Sequence, residues 1–221
     1  MTATLDVFPA ARYRDVVEDR DFPTVREYQA RTGRPALGCF PVYGPFELGY
    51  AAGLLPVGLF GGGNRIEIQT ADSRFQSFIC SVVKSTMELG FQDKLGPFDA
   101  LMFESICDPA RNLASIMSRN FPKQKVTYVH LPQNMTSAAA PDYLTSEYRR
   151  VLAELETVTG AHVTDDDLRA SFATYNALRA ALRELYAFRA ARPQDLLTGE
   201  LYTLTLTRLA TLMDPAEVTP I

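Results

Sequence analysis

The chain has 221 residues, 47% of them hydrophobic and 22% charged, with a net charge of −4 and a pI near 5.3. This is ordinary globular composition, enough for one large domain or one domain with a helical annex. The acidic balance and the lack of a basic stripe argue against a nucleic-acid backbone as partner. No window reaches the roughly 18 apolar residues of a membrane span. The opening Met1-Thr2-Ala3-Thr4-Leu5-Asp6-Val7 lacks the basic stretch and apolar run of a signal peptide, so a cytoplasmic chain is expected. The three cysteines, Cys39, Cys80 and Cys107, are odd in number and widely spaced. That is no disulfide framework; in a reducing compartment such thiols stay free or bind metal.

In chain order, residues 1–36 read as a charged, irregular lead-in with a short helix near 25–31. Residues 37–140 form a dense block. Within it, short apolar runs at 56–60, 100–104 and 126–130 read as buried strands. Residues 74–89 carry Phe75, Phe78, Ile79, Val82 and Met87 near a 3.6 period, and 108–119 carry Leu113, Ile116 and Met117; both read as helices. Strands alternating with helices predict a parallel-sheet, Rossmann-like α/β domain covered on both faces. From Pro141 to the last residue the texture is helical. Residues 167–189 place Leu168, Phe172, Tyr175, Leu182, Leu185 and Tyr186 on one stripe. Thr164 followed by Asp165, Asp166 and Asp167 is a strong helix start. Residues 196–213 predict one more helix, which Asp214-Pro215 ends. No internal repeat or low-complexity segment occurs. An amphipathic helical segment of this kind needs a surface for its apolar stripes: the α/β unit, a second domain or another subunit.

Cys107 is the most informative position. It follows a predicted strand, and Asp108-Pro109 suits the start of the next helix. That places the thiol on the carboxyl edge of a parallel sheet, where open α/β sheets bind ligands, and beside a helix end that favours negative charge. The plain alternative is a small buried hydrophobe in a strand-to-helix turn. Cys80 is far from zinc-knuckle spacing with Cys107, so local sequence does not announce a metal there. It is either a packed residue on a helix face or a second thiol brought to the same sheet edge. Gly61-Gly62-Gly63-Asn64 follows a strand without a dinucleotide or P-loop pattern, and a tight turn is the better reading. Cys39 lies beside Pro41 and Pro45, in an expected loop. His130 and His162 lack the spacing of a zinc site or a hydrolase triad.

Taken together these motifs resemble a known family. Gly38-Cys39-Phe40-Pro41-Val42-Tyr43-Gly44-Pro45-Phe46-Glu47-Leu48, with Ala51-Ala52-Gly53 and Leu55-Pro56-Val57-Gly58, resembles the opening motif of the 2-hydroxyacyl-CoA dehydratase and benzoyl-CoA reductase family. Phe78-Ile79-Cys80-Ser81, Lys84-Ser85 and Glu88-Leu89-Gly90 resemble its first cluster-cysteine segment. Ser105-Ile106-Cys107-Asp108 with Arg111-Asn112-Leu113 resembles its second, and Leu131-Pro132-Gln133-Asn134 its usual continuation. The pieces are most similar to C-type subunits of the ATP-dependent benzoyl-CoA reductase branch.

The resemblance implies a [4Fe-4S] cluster held in part by Cys80 and Cys107, with a third cysteine in a second α/β domain that is absent from this chain. It implies a paralogous cluster-binding subunit as partner, and a separate ATP-hydrolysing iron–sulfur activator that supplies low-potential electrons for reaction of an acyl-CoA. The substrate is an aromatic acyl-CoA in the reductases and a 2-hydroxyacyl-CoA in the dehydratases. Pro41 stands where some dehydratase members carry cysteine. Glu47 and Tyr43, from the opening motif, are candidate catalytic residues; a helix cap or a packing role is the alternative for each. Two other classes of function stand beside this one: a truncated paralogue acting as an interaction module, and a cysteine-based transferase or reductase using Cys107 alone.

Overall fold

The computed structural model describes residue 13 and residues 16–18, 20–40, 43–194 and 196–221, without the side chains of 64 and 196–202. Pro41 and Val42 of the opening motif lie outside the described residues. In chain order, helix α1 is Pro23–Thr32 and strand β1 is Ala36–Cys39; α2 is Phe46–Ala51 and β2 is Leu55–Gly58. Two 3₁₀ turns, Gly63–Arg65 and Ala71–Arg74, lead to α3, Ser81–Phe91. Then come β3 (Ala100–Glu104), α4 (Asp108–Asn120), β4 (Lys125–Val129), α5 (Ala140–Thr159), α6 (Asp165–Ala190), α7 (Leu196–Leu209) and α8 (Pro215–Val218). The strands form one parallel sheet in the order β2-β1-β3-β4.

The expected parallel α/β architecture is present. Its inner strands β1 and β3 are buried at every residue, as parallel strands covered on both faces must be. Pro56 is tolerated because β2 is an edge strand. One face of the sheet carries Ala36, Val57, Leu101 and Phe103 against Val25 of α1, Val83 and Met87 of α3, and Leu113 and Met117 of α4. The other carries Leu37, Cys39, Ala100, Met102 and Val129 against Leu48 of α2 and Val151 and Leu155 of α5. Tyr175 and Leu178 of α6 pack with Leu209 and Val218, so the helical segment covers part of its stripe within this chain.

Two local expectations change. Cys39, expected in a loop, is the last residue of β1 and fully buried. Four residues between prolines give too short a pattern to show; β2 and β3 supply the strand's pairing from either side. The helix expected over 74–89 begins at Ser81, and Cys80 is its N-cap. The preceding backbone is claimed by α3 instead: Glu88 accepts from the amides of Gln69 (3.1 Å) and Ala71 (2.7 Å). The Thr164 start is as expected, a capping box in which Thr164 Oγ1 accepts from Asp167 N and the Asp167 carboxylate accepts from Thr164 N.

Candidate functional site

The chain leaves β1 for β2 on one side, and β3 and β4 stand on the other. The carboxyl ends of β1 and β3 therefore flank the topological switch point, where an open α/β sheet has its crevice. Around this edge stand the loop after β1 with Tyr43 and Gly44, the exit of β3 with Cys107, and the glycine turn after β2.

The β3 exit is tightly made. Ser105 donates its amide to Val129 O (3.1 Å), and its hydroxyl accepts from Leu131 N (2.8 Å), so the ends of β3 and β4 are tied together. The Ile106 amide turns back to Glu104 O (3.0 Å), and Cys107 follows as the N-cap of α4, with Pro109 in the first turn. Arg150 of α5 braces the neighbouring strand by donating to Tyr128 O and to Glu147, whose carboxylate also accepts from His130 N at 2.7 Å. The Arg150 bond and the His130 amide hold the Glu147 carboxyl below the usual range.

Cys80 and Cys107 occupy equivalent places. Each is a free, exposed thiol at a helix N-cap, and neither side chain makes a capping hydrogen bond. Helix α3 hands the chain back to the start of β3, so its N-terminus lies at the carboxyl edge, as that of α4 does. The two helices pack against each other on one face of the sheet. Both thiols thus stand at positive helix ends that offset negative charge. No local sequence signal relates them; the crossover puts both helix starts on the same edge of the sheet.

Two residues that the sequence reading gave no role position the Cys80 segment. Lys84, buried in the first turns of α3, donates to Asp72 Oδ1 (2.6 Å) and Ser77 O (3.4 Å). Glu88, one turn on, takes the two amides already described. Their spacing of four on one helix is the signal that could have found them.

Of the other sequence candidates, Tyr43 is 65% exposed beside the crevice. Glu47 is buried, and its carboxylate is held by Arg179 of α6, while its carbonyl accepts from Ser171 Oγ at 2.8 Å. Burial pushes the Cys39 thiol well above its ordinary range, with the Glu104 charge adding to it. Glu104 was not anticipated. It ends β3 with no exposed surface, and neither carboxylate oxygen has a hydrogen-bond partner among the described residues. Burial raises its pKa to about 8, against a smaller opposing pull from its own amide. Gly44 lies directly against it; a Cβ there would come within 2.3 Å of Glu104 Oε1. Among the described residues, no set of three or more His, Cys, Asp and Glu side chains is grouped to hold a metal ion, and no helix is long and apolar enough to cross a membrane.

A sequence profile of the family described as 2-hydroxyglutaryl-CoA dehydratase, D-component, matches residues 41–221. The chain is 36% identical to the benzoyl-CoA reductase C-type subunit of Thauera aromatica over 91% of its own length and 52% of that protein. It is 35% identical to the lactoyl-CoA dehydratase beta subunit of Anaerotignum propionicum over 76% of its length and 44% of the relative. It is 32% identical to the (R)-2-hydroxyglutaryl-CoA dehydratase beta subunit of Acidaminococcus fermentans, over 72% and 41% respectively. The chain spans about half the length of these curated relatives. The match over 41–221 starts just after β1 and takes in both exposed thiols, and with it the chain belongs to the 2-hydroxyglutaryl-CoA dehydratase D-component family.

Proposed function

We propose that this chain is the N-terminal half of an iron–sulfur subunit of an ATP-dependent benzoyl-CoA reductase, acting in low-potential electron transfer to an aromatic acyl-CoA. The observation that carries the reading is the pair of free, exposed thiols, Cys80 and Cys107, capping two adjacent helices at one sheet edge. The similarity to the C-type subunit of a benzoyl-CoA reductase supports the reductase assignment. Membership of a dehydratase family, and two relatives that are dehydratase beta subunits, support a second reading in which the substrate is a 2-hydroxyacyl-CoA.

The residues present fit a [4Fe-4S] cluster. Thiolates are the ligands such a cluster takes, and here two stand without a competing capping bond. When bound, the cluster supplies one-electron chemistry at low potential. Cys80 and Cys107 would hold two of its irons, and the first turns of α3 and α4 would offset its negative charge. Lys84 and Glu88 fix the loop that carries Cys80, and Ser105 fixes the turn that carries Cys107. In this reading a third cysteine, carried by a second α/β domain, would complete the protein's ligands. The partners in this reading are a paralogous cluster-binding subunit and an ATP-hydrolysing iron–sulfur activator.

The test is anaerobic iron and acid-labile sulfide analysis, with a visible spectrum, of the chain alone and with a full-length paralogous partner. The expected result is about four irons per complex beyond the partner's own, lost in Cys80→Ala and in Cys107→Ala. No iron in either preparation, with the partner still bound, would leave a non-catalytic interaction module in its place.

A further inference from the structure

Of the three cysteines in the chain, Cys39 is fully buried in β1, and only Cys80 and Cys107 are open to a ligand. A [4Fe-4S] cluster takes four thiolates when cysteine alone holds it. One copy of this chain therefore supplies half a set. Among the described residues, no third His, Cys, Asp or Glu side chain is grouped with the two thiols to hold a metal.

The edge that carries the thiols is built like an interface. Outside residues 140–221, the bulky apolar side chains most exposed among the described residues are Phe78 (81%), Met135 (71%) and Tyr43 (65%). All three stand on loops at the carboxyl edge of the sheet: Tyr43 after β1, Phe78 just before Cys80, and Met135 after β4. Exposed apolar side chains scattered singly are ordinary, but a set gathered at one edge marks a surface that something covers. The charges beside Cys107 point to what covers it. Asp108 and Arg111, at the start of α4, are both exposed, and neither is paired among the described residues. A surface with an acid and a base side by side complements a copy of itself, because a two-fold contact can bring each copy's acid to the other's base.

We propose that two copies of this chain pair through the carboxyl edges of their sheets, so that Cys80 and Cys107 of one copy and the same two residues of the other together hold one [4Fe-4S] cluster. The inference rests on the cluster reading of the two thiols. It differs from completion by a third cysteine in taking every ligand from two copies of the residues present. A two-fold contact applies the same patch twice, so a patch with two thiols becomes a site with four. It also sets four helix N-termini around the site, those of α3 and α4 in each copy. Their positive ends offset the net negative charge of a cluster with four thiolates. Phe78, Met135 and Tyr43 form the apolar rim that seals the contact from water.

Anaerobic reconstitution of the 221-residue chain alone with ferric iron, sulfide and a thiol reductant, followed by light scattering and iron analysis, tests the pairing. The loaded protein is expected at twice the 24.5 kDa mass of one chain, with about four irons per pair. Cys80→Ser and Cys107→Ser should each lose the iron. Phe78→Asp keeps both thiols and, at so exposed a position, leaves the fold intact; it should weaken pairing about ten-fold or more and lower the iron content with it. Iron held at the mass of a single chain overturns the inference and leaves the cluster reading standing. Phe78→Asp pairing and loading as wild type does has the same meaning, as does iron uptake only with the full-length paralogous partner. No iron in any preparation overturns both.

Discussion

At the carboxyl end of β3, Glu104 sets the most testable single-residue property of the fold. Its folded pKa, raised to about 8 from 4.5, keeps it protonated and neutral through the neutral range. The folded state then binds this proton more tightly than the unfolded chain. The resulting stability is complete below about pH 4.5 and is lost as pH rises through about 8. The difference is on the order of 5 kcal/mol across that span. Glu104→Gln removes the dependence. Urea unfolding at pH 5, 7 and 9 should show wild type losing stability relative to the variant as pH rises; parallel profiles would sink the assignment. Little at this scale was legible beforehand. Glu104 ends an apolar run, and nothing in the sequence says that Gly44, sixty residues earlier in the chain, would cover it. Cys107 could be placed from sequence because Asp108-Pro109 marks a helix start beside it. Cys80 could not, because an apolar period carried through Phe75, Phe78 and Ile79 suggested a helix already under way.

Helix α3 shows how an element can organise a loop that has no regular structure of its own. Glu88 is buried and satisfies two backbone amides, Gln69 and Ala71, that would otherwise be orphaned. Glu88→Ala should cost about 1–3 kcal/mol in urea unfolding, the usual penalty for stranded buried donors. It should also change the alkylation rate of Cys80 relative to Cys107, which serves as the internal reference. An unchanged rate ratio would show that the loop holds Cys80 without this helix. The long elements were the legible ones. The amphipathic stripe of α6 and its Thr164 capping box follow from local chemistry, and β3 is apolar from Ala100 to Phe103. The short ones were not. β1 is four residues whose ladder hydrogen bonds come from strands distant in sequence, and α2 is six residues in a proline-flanked stretch.

Across the whole molecule, Asp214 joins segments far apart in the chain. It accepts from Tyr28 Oη of α1 (2.6 Å) and Tyr50 Oη (3.1 Å), and it caps α8 by accepting from Ala216 N (2.9 Å). Arg34 completes the cluster, donating to Tyr28 Oη and to the carbonyls that close α2. Burial and the Asp214 bond push the Tyr28 hydroxyl well above its ordinary range. Asp214→Ala should lower stability by about 2–4 kcal/mol, read as a lower urea midpoint at unchanged m-value. Asp214→Asn, which keeps one acceptor, should lose less. An alanine variant within about 0.5 kcal/mol of wild type would show that the cluster adds nothing to stability. From sequence, Asp214-Pro215 read only as a helix stop. Its reach to α1 follows from topology, since α1 and the C-terminal helices flank the same edge strand, β2.

That clasp spans 186 positions of sequence. At translation rates of about 5–20 residues per second, Tyr28 is added to the chain on the order of ten to forty seconds before its acceptor is made. The four strands and both cysteine-bearing helices are synthesised within that interval. The nascent sheet therefore has time to assemble with α1 docked by Val25 and its neighbours alone, before the residue that completes the clasp on α1 exists.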